Sequence, residues 1–181
     1  CSSDLGVDTS DHEVNIKILF ADIMSNKKSG VDTAARNKIL QKMTDEVAEH
    51  VLRDNYQQAL AISLAELQAK ENLKAHEELI QDLEKRVGLN RALEGLPNAQ
   101  IIEQRSRMGK GMTRPELCVL LAYAKIVFTQ DLLASSIPDS EDMQTWVMSY
   151  FPTELREKYE KEIERHKLRR ELIAMSVANS V

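Results

Sequence analysis

Apolar residues recur at three- and four-residue steps through the middle of the chain, the spacing of one face of an α-helix. The spacing predicts a long helix that begins at Thr44 and a second helix that restarts after residues 70–72 and ends at Gly88. Two long helices in succession, each with a single apolar stripe, favour an antiparallel helical hairpin over residues 44–87. A longer continuous helix with a kink is the alternative. The stripe positions are Val47, Val51, Leu52, Tyr56, Ala59, Leu60, Leu64 and Leu67, then Leu73, His76, Ile80, Leu83 and Val87.

A different pattern fills residues 111–128, "GMTRPELCVLLAYAKIVF", where apolar side chains would cover every side of a helix. Thr113 is a candidate N-cap, Pro115 suits a first helical turn, and Glu116 completes a capping box. A helix that is apolar all round must be surrounded by protein. We therefore predict that residues 113–128 form the central, buried helix of a bundle.

Polar residues that can cap a helix predict where further helices begin. Ser10, with Glu13 three positions later, forms a candidate capping box for a first helix, Asp32 or Thr33 can cap the next one, and Asn98 can cap a short one. Strong helix formers are plentiful in the chain, whereas Gly and Pro are scarce. The predicted fold is all-α: an elongated helical bundle with a long antiparallel hairpin and a central buried helix.

Charge and composition narrow the functional class. The chain has 181 residues, 43% of them hydrophobic, and a net charge of −5. It can therefore build a packed core, but it lacks the Lys/Arg excess that a general nucleic-acid binder needs. The apolar run 117–128 contains Lys125 and is shorter than the roughly 18 residues of a membrane span. Neither a nucleic-acid partner nor a membrane is expected.

The two cysteines, Cys1 and Cys118, do not suggest a disulfide framework. Cys118 lies in the apolar run and is predicted to be a buried thiol, which fits a reducing, cytoplasmic setting. The opening "CSSD" matches the acylated start of a processed bacterial lipoprotein. A chain cut from a longer protein is the favoured interpretation, because a lipoprotein would place a polar linker before its fold.

Residue patterns that carry chemistry are weak. A di-iron bundle needs Glu three positions before His, and His50, His76 and His166 do not meet that condition. Residues 109–111, "GKG", lack the upstream Gly and the following Ser or Thr of a phosphate-binding loop. The basic loop 105–114 could touch an anion or an acidic partner, although a solvated loop is favoured. No catalytic, cofactor-binding or metal-ligating residue is predicted from these patterns.

Several stretches of the sequence are more specific signals of a protein family than the periodicity of apolar residues. They are "GVDTSDHEVNIKI" (6–18), "VLRDNYQQALAIS" (51–63), "LNRALEGLP" (89–97), "GMTRPELCVLLAYAKI" (111–126), "YFPTELREKY" (150–159) and "HKLRRELIAMSVAN" (166–179). Together and in this order they resemble the large bacterial NAD-specific glutamate dehydrogenases, in the part that follows the catalytic domain.

The resemblance implies a much longer enzyme that deaminates L-glutamate to 2-oxoglutarate and ammonia and passes hydride to NAD. Residues 1–12 would end the catalytic domain or link it to the first helix, and residues 13–181 would form a C-terminal helical domain. That domain would be structural and promote oligomerisation, with the catalytic domain of its own chain and further copies as partners. It would hold no cofactor and be inactive alone. The alternatives are a stand-alone helical adaptor and a lipid-anchored helical protein.

One position, Ser10, has a possible role in substrate binding. Smaller glutamate dehydrogenases end their nucleotide domain with Gly-Val-x-x-Ser-x-x-Glu, in which the Ser contacts the side-chain carboxylate of the substrate. Gly6, Val7, Ser10 and Glu13 fit this motif. The resemblance therefore implies that Ser10 is a substrate contact in the intact enzyme, although Asp11-His12 departs from the smaller enzymes. A helix cap at Ser10 is the alternative, and one residue can serve both purposes.

Overall fold

The computed structural model confirms the all-α fold class. It describes residues 2–25 and 31–180, and these residues form helices and turns without a strand. The helices are α1 (Ser2–Ser25), α2 (Thr33–Leu67), α3 (Leu73–Val87), α4 (Ala99–Arg107), α5 (Arg114–Ala134), α6 (Gln144–Tyr150), α7 (Thr153–Glu164) and α8 (Arg169–Ser180), with 3-10 turns at Ile137–Asp139 and Glu141–Met143.

Several helix ends lie where local sequence signals place them. The Asp32 carboxylate accepts a hydrogen bond from the N–H of Ala35 at 2.8 Å and caps α2. The Asn98 side chain accepts from the N–H of Ile101 at 2.9 Å and caps α4. Gly88 ends α3 with a φ of 67°, a left-handed conformation that glycine adopts without strain.

Two predicted helix starts are wrong. Ser10 lies inside α1, which begins at Ser2, so it does not cap that helix. Thr44 lies inside α2, where its hydroxyl donates to the carbonyl oxygen of Leu40 at 3.1 Å. Serine and threonine can bond the carbonyl four residues back and so occupy helix interiors as well as caps. One helix, Thr33–Leu67, therefore replaces the two helices that the pattern predicted.

The chain divides into two compact units, which are described separately. Unit 1 comprises Cys1–Tyr56 and Leu132–Val181, and unit 2 comprises Gln57–Asp131. The core of unit 1 is formed by α1, the first part of α2 and α6 to α8. Its buried apolar side chains are Ile16, Leu19, Phe20, Ile23, Ile39, Met43, Val147, Tyr150, Phe151, Leu155, Ile163, Leu172 and Ile173.

Glu46 of α2 forms a long-range polar contact within unit 1. Its carboxylate accepts hydrogen bonds from the backbone N–H of Thr153 at 2.9 and 3.0 Å. Thr153 begins α7, so the negative charge lies at a helix N-terminus, which it stabilises. Burial alone would raise the pKa of Glu46, but the hydrogen bonds from Thr153 outweigh burial and lower it.

The core of unit 2 is formed by α3, α4, one side of α5 and the connections between these helices. Arg91 lies in the connection between α3 and α4 and ties that connection to α3. Its guanidinium donates hydrogen bonds to Glu84 at 2.7 and 2.9 Å and to Glu77 at 2.9 and 3.1 Å. The buried apolar side chains are Ala69, Leu73, Ile80, Leu83, Leu89, Leu96, Ile102, Met112, Leu117, Leu120 and Val127.

One of the two hydrogen bonds of the predicted α5 capping box is present. The Glu116 carboxylate accepts a hydrogen bond from the N–H of Thr113 at 2.7 Å. The same carboxylate receives both guanidinium nitrogens of Arg105 at 2.6 and 2.8 Å, a geometry that fixes both direction and distance. The basic loop is therefore tied to the first turn of α5.

The prediction that α5 is buried on all sides is wrong. Of its most apolar 18 residues, 22% are buried. Ile126 and Phe128 are 49% and 37% exposed, and Cys118, predicted to be a buried thiol, is exposed. Among the described residues, α5 is also the one helix long and apolar enough to cross a membrane, a property that core helices share. An apolar composition alone did not determine how much of α5 is covered.

The helical hairpin over residues 44–87 is not confirmed. After Leu67 a connection over residues 68–72 leads into α3, with helical hydrogen bonds from the N–H of Asn72 to Gln68 and from the N–H of His76 to Asn72. The leucines that the hairpin would bury are not buried: 44% of Leu60, 52% of Leu64 and 80% of Leu67 is exposed.

Candidate functional site

A cluster of polar side chains is buried around Tyr150 in unit 1. We call it the Tyr150 cluster: Asp11, His12 and Asn15 of α1, His50 of α2, and Tyr150 of α6. His12, Asn15 and Tyr150 are buried, with 6%, 3% and 8% of their surfaces exposed. The three helices of the cluster are brought together from distant parts of the chain.

The hydroxyl of Tyr150 has two partners on α1. It donates to Oδ2 of Asp11 at 2.6 Å and accepts from Nδ2 of Asn15 at 3.0 Å. The Asn15 amide also donates to the backbone oxygen of Asp11 at 3.0 Å and to its Oδ1 at 3.1 Å. The tyrosine ring stacks on His12, with ring centroids 4.3 Å apart and an interplanar angle of 15°. Asp11, His12 and Asn15 are therefore all held by one side chain of α6.

The electrostatics of the cluster favour neutral rings. Burial lowers the pKa of His12, and the ring of His50, 6.1 Å away, lowers it further. Burial also lowers the pKa of His50, with a contribution from Arg53. Burial and the adjacent Asp11 carboxylate raise the pKa of Tyr150. Tyr150 is therefore a hydrogen-bond donor at neutral pH, and the two histidines are uncharged.

A third histidine, His166, holds the backbone of α1. Its Nδ1 accepts from the N–H of Leu168 at 3.2 Å, so in the neutral ring the proton is on Nε2. Nε2 lies 3.1 Å from the backbone oxygen of Asn15 and donates to it. Burial lowers the pKa of His166, although the bond to Asn15 opposes that effect.

The Tyr150 cluster is a network of polar side chains that contact each other. The Tyr150 hydroxyl, the Asn15 amide nitrogen and the Asp11 carboxylate bond each other. Among the described residues no group of three or more His, Cys, Asp or Glu could hold a metal ion. Two buried atoms, His12 Nδ1 and Asn15 Oδ1, have no hydrogen-bond partner in the described structure. A buried polar network with unpaired atoms contributes little net stability, because its unpaired groups lose their hydration without a replacement bond.

Ser10, the candidate substrate contact, lies directly before this cluster. Its side chain is exposed on α1, whereas the following residue, Asp11, bonds Tyr150. The structure therefore places Ser10 at the edge of a fixed stretch of helix.

Unit 2 has a separate open cleft with a volume of about 420 Å³ near the start of α3. Lysines and glutamates alternate on its walls, and two of the glutamates pair with arginines: Glu77 with Arg91 and Glu103 with Arg107. Arg114 of the basic loop likewise pairs with Glu66 at 2.9 Å. Much of the basic charge in this region is thus neutralised within unit 2.

The sequence patterns did not identify the Tyr150 cluster. In the sequence, Asp11 and His12 stand out only as departures from a motif, and no pattern singles out Tyr150. Because Tyr150 and Asp11 are 139 positions apart, no local spacing connects them.

Comparisons with known proteins cover nearly the whole chain. A family model described as "Bacterial NAD-glutamate dehydrogenase, catalytic domain" matches residues 2–65. A second, described as "Glutamate dehydrogenase, C-terminal", matches residues 109–181.

Three curated glutamate dehydrogenases are similar to the chain over 176 residues, or 97% of its length. Enzymes named NAD-specific glutamate dehydrogenase are 43% identical in Halomonas elongata, 42% in Pseudomonas aeruginosa and 40% in Mycobacterium tuberculosis. The chain spans 11% of the length of each relative. By both comparisons, the chain is similar to a segment of NAD-specific glutamate dehydrogenases.

Proposed function

We propose that this chain is a helical structural region of an NAD-dependent glutamate dehydrogenase, which converts L-glutamate and NAD to 2-oxoglutarate, ammonia and NADH. In this role the region packs against the catalytic part of its own polypeptide and contributes to contacts between subunits in the cytoplasm. It holds no cofactor and has no activity by itself. The boundary between residues 1–12 and 13–181 is part of the same proposal.

The observation that carries the proposal is an exposed apolar row on α2. We call Leu60, Leu64 and Leu67 the α2 row. They recur at four- and three-residue steps and so share one face of the helix. Their exposed fractions are 44%, 52% and 80%. Residues 55–65 contain no charged side chain, whereas 29% of the whole chain is charged. An exposed, uncharged and apolar helix face is typical of a surface that another protein segment covers.

The covering segment is most simply the catalytic part of the same polypeptide. The family model for the catalytic domain matches residues 2–65, which include Leu60 and Leu64. The curated relatives are about nine times longer than the matched segment, since it covers 11% of their length. The remainder of such a chain supplies ample surface to bury three leucines.

Ser10 has a second, more specific role in the proposal. We place its hydroxyl at the side-chain carboxylate of bound glutamate in the intact enzyme. Its exposure on α1 leaves the hydroxyl accessible to such a ligand.

A pair of charge substitutions in the full-length enzyme tests the role of the α2 row. Leu60→Lys/Leu64→Lys should lower glutamate-dependent NAD reduction at least tenfold, because two ammonium groups would be buried against the catalytic part. Leu93→Lys is the matched control, since Leu93 lies in unit 2, is 81% exposed and is outside α2.

Sedimentation of the same variants distinguishes a contact with the catalytic part of the same polypeptide from a contact with another subunit. Reduced activity with an unchanged oligomer supports a contact within the polypeptide, and dissociation supports a contact between subunits. If the double variant matches Leu93→Lys in both activity and sedimentation, the proposed structural role is wrong. The 181-residue chain alone should show no glutamate-dependent NAD reduction.

A further inference from the structure

We infer that Tyr150 is a positioning residue for substrate binding, which acts by fixing the rotation of α1 and thereby the direction of the Ser10 hydroxyl. This inference rests on the proposed role of Ser10 as a contact to the substrate carboxylate.

The first step of the argument is the geometry on α1. Tyr150 holds Asp11 by a 2.6 Å hydrogen bond, Asn15 by a 3.0 Å hydrogen bond and His12 by ring stacking at 4.3 Å. These three residues occupy the turn that immediately follows Ser10. Because 100° of helix rotation separates neighbouring residues, a fixed Asp11 and His12 also fix where the side chain of Ser10 points.

The second step is that the network suits orientation better than stability. An apolar core of the same volume would hold α1 at least as strongly, since buried polar groups lose their hydration. Here a carboxylate, an amide, a phenol and an imidazole are gathered at one point, and two of their atoms, His12 Nδ1 and Asn15 Oδ1, lack partners in the described structure. Directional hydrogen bonds allow one rotation of α1, whereas apolar contacts tolerate several.

The third step is that the contact comes from a remote part of the chain. Tyr150 is held in unit 1 by its neighbour Phe151, whose ring lies 5.2 Å away and is fully buried. His166 then holds the backbone of α1 one turn further along, at Asn15. The segment matched by the C-terminal family model thus orients the segment matched by the catalytic-domain model.

The test is a double-mutant cycle in the full-length dehydrogenase. Tyr150→Phe keeps the ring and its stacking but removes both hydrogen bonds. It should raise KM for glutamate about tenfold, with kcat and KM for NAD changed less than twofold. Ser10→Ala should raise the same KM, and the double variant should be no worse than Ser10→Ala alone, because Tyr150 acts through Ser10.

Tyr159→Phe is the matched control. Tyr159 lies in the same unit, packs against Phe20 at 6.2 Å, and its hydroxyl makes no hydrogen bond within the described part of the chain. Asp11→Asn is a second variant, which weakens the bond from Tyr150 while keeping the shape of the side chain. It should raise KM for glutamate in the same direction as Tyr150→Phe.

The possible results separate the inference from its premise. If Ser10→Ala raises KM and Tyr150→Phe does not, the positioning role is overturned and the role of Ser10 stands. Additive effects, or equal losses in KM for glutamate and for NAD, also overturn it, because Tyr150 would then act by another route. If Ser10→Ala changes nothing, the substrate contact itself is wrong and the inference fails with it.

Discussion

Replacement of Glu116, a buried residue in the first turn of α5, should destabilise unit 2 far more than replacement of an exposed glutamate. The carboxylate accepts two hydrogen bonds from Arg105 and one from the N–H of Thr113. The side chains of Arg105 and Glu116 are 20% and 10% exposed. Loss of one partner from a buried pair costs about 3–5 kcal/mol. Since Arg105 keeps some contact with water, we expect the lower end of that range, about 3 kcal/mol, for Glu116→Ala.

Urea unfolding of the 181-residue chain, followed by circular dichroism, measures this loss. With a slope of about 2 kcal/mol per molar urea, the midpoint should fall by about 1.5 M. Glu103→Ala is the matched control, because Glu103 also pairs with an arginine, Arg107, but the two side chains are 65% and 77% exposed. Exposed pairs contribute about 0–1 kcal/mol, so this variant should unfold almost as the parent does.

The pH dependence of the stability tests the same argument about Glu116. Burial would raise the pKa of Glu116, but the hydrogen bonds from Arg105 and Thr113 outweigh it and hold the pKa below its usual 4.5. A lowered pKa in the folded state gives stability that is present above pH 4.5 and lost as the pH falls below it. The difference in free energy of unfolding between the parent and Glu116→Ala should therefore become smaller as the pH falls below 4.5. Equal destabilisation by Glu116→Ala and Glu103→Ala at neutral pH would refute the argument.

Two further predictions concern backbone space and acid stability. A Cβ at Gly111 would lie 2.3 Å from the carbonyl carbon of Ala69, so Gly111→Ala should lower the free energy of unfolding by about 3 kcal/mol. Gly95 has a φ of 68° and open space around it, so Gly95→Ala should lower it by about 1 kcal/mol. Equal melting temperatures of the two variants would contradict this. Burial lowers the pKa of the three histidines of unit 1, so the stability they confer is present above pH 6.5 and is lost as the pH falls below that value. The fluorescence of the single tryptophan, Trp146, should report easier urea unfolding at pH 5 than at pH 7, and His12→Phe should reduce the difference.

Local chemistry explains which features could be predicted from the sequence. A cap or a helix end depends on a few neighbouring residues: Asn98 and the Thr113–Glu116 box find their partners three positions away, and the N–H of Gly88 bonds the carbonyl of Leu83, five positions back. The same kind of signal failed at Ser10 and Thr44, because serine and threonine hydroxyls are also accommodated inside helices. Nothing local distinguishes these two outcomes.

The sequence by itself determined the helical class, several of the helix ends and the resemblance to NAD-specific glutamate dehydrogenases, because propensity, capping and family-specific motifs all lie in short stretches of residues. Tertiary structure decided that one side of α5 is open, that the α2 row stays exposed, and that Tyr150 meets Asp11 across 139 positions. The physical reason is that burial depends on which surfaces meet, and an apolar side chain has the same composition whether it faces its own core or a segment elsewhere in a longer polypeptide.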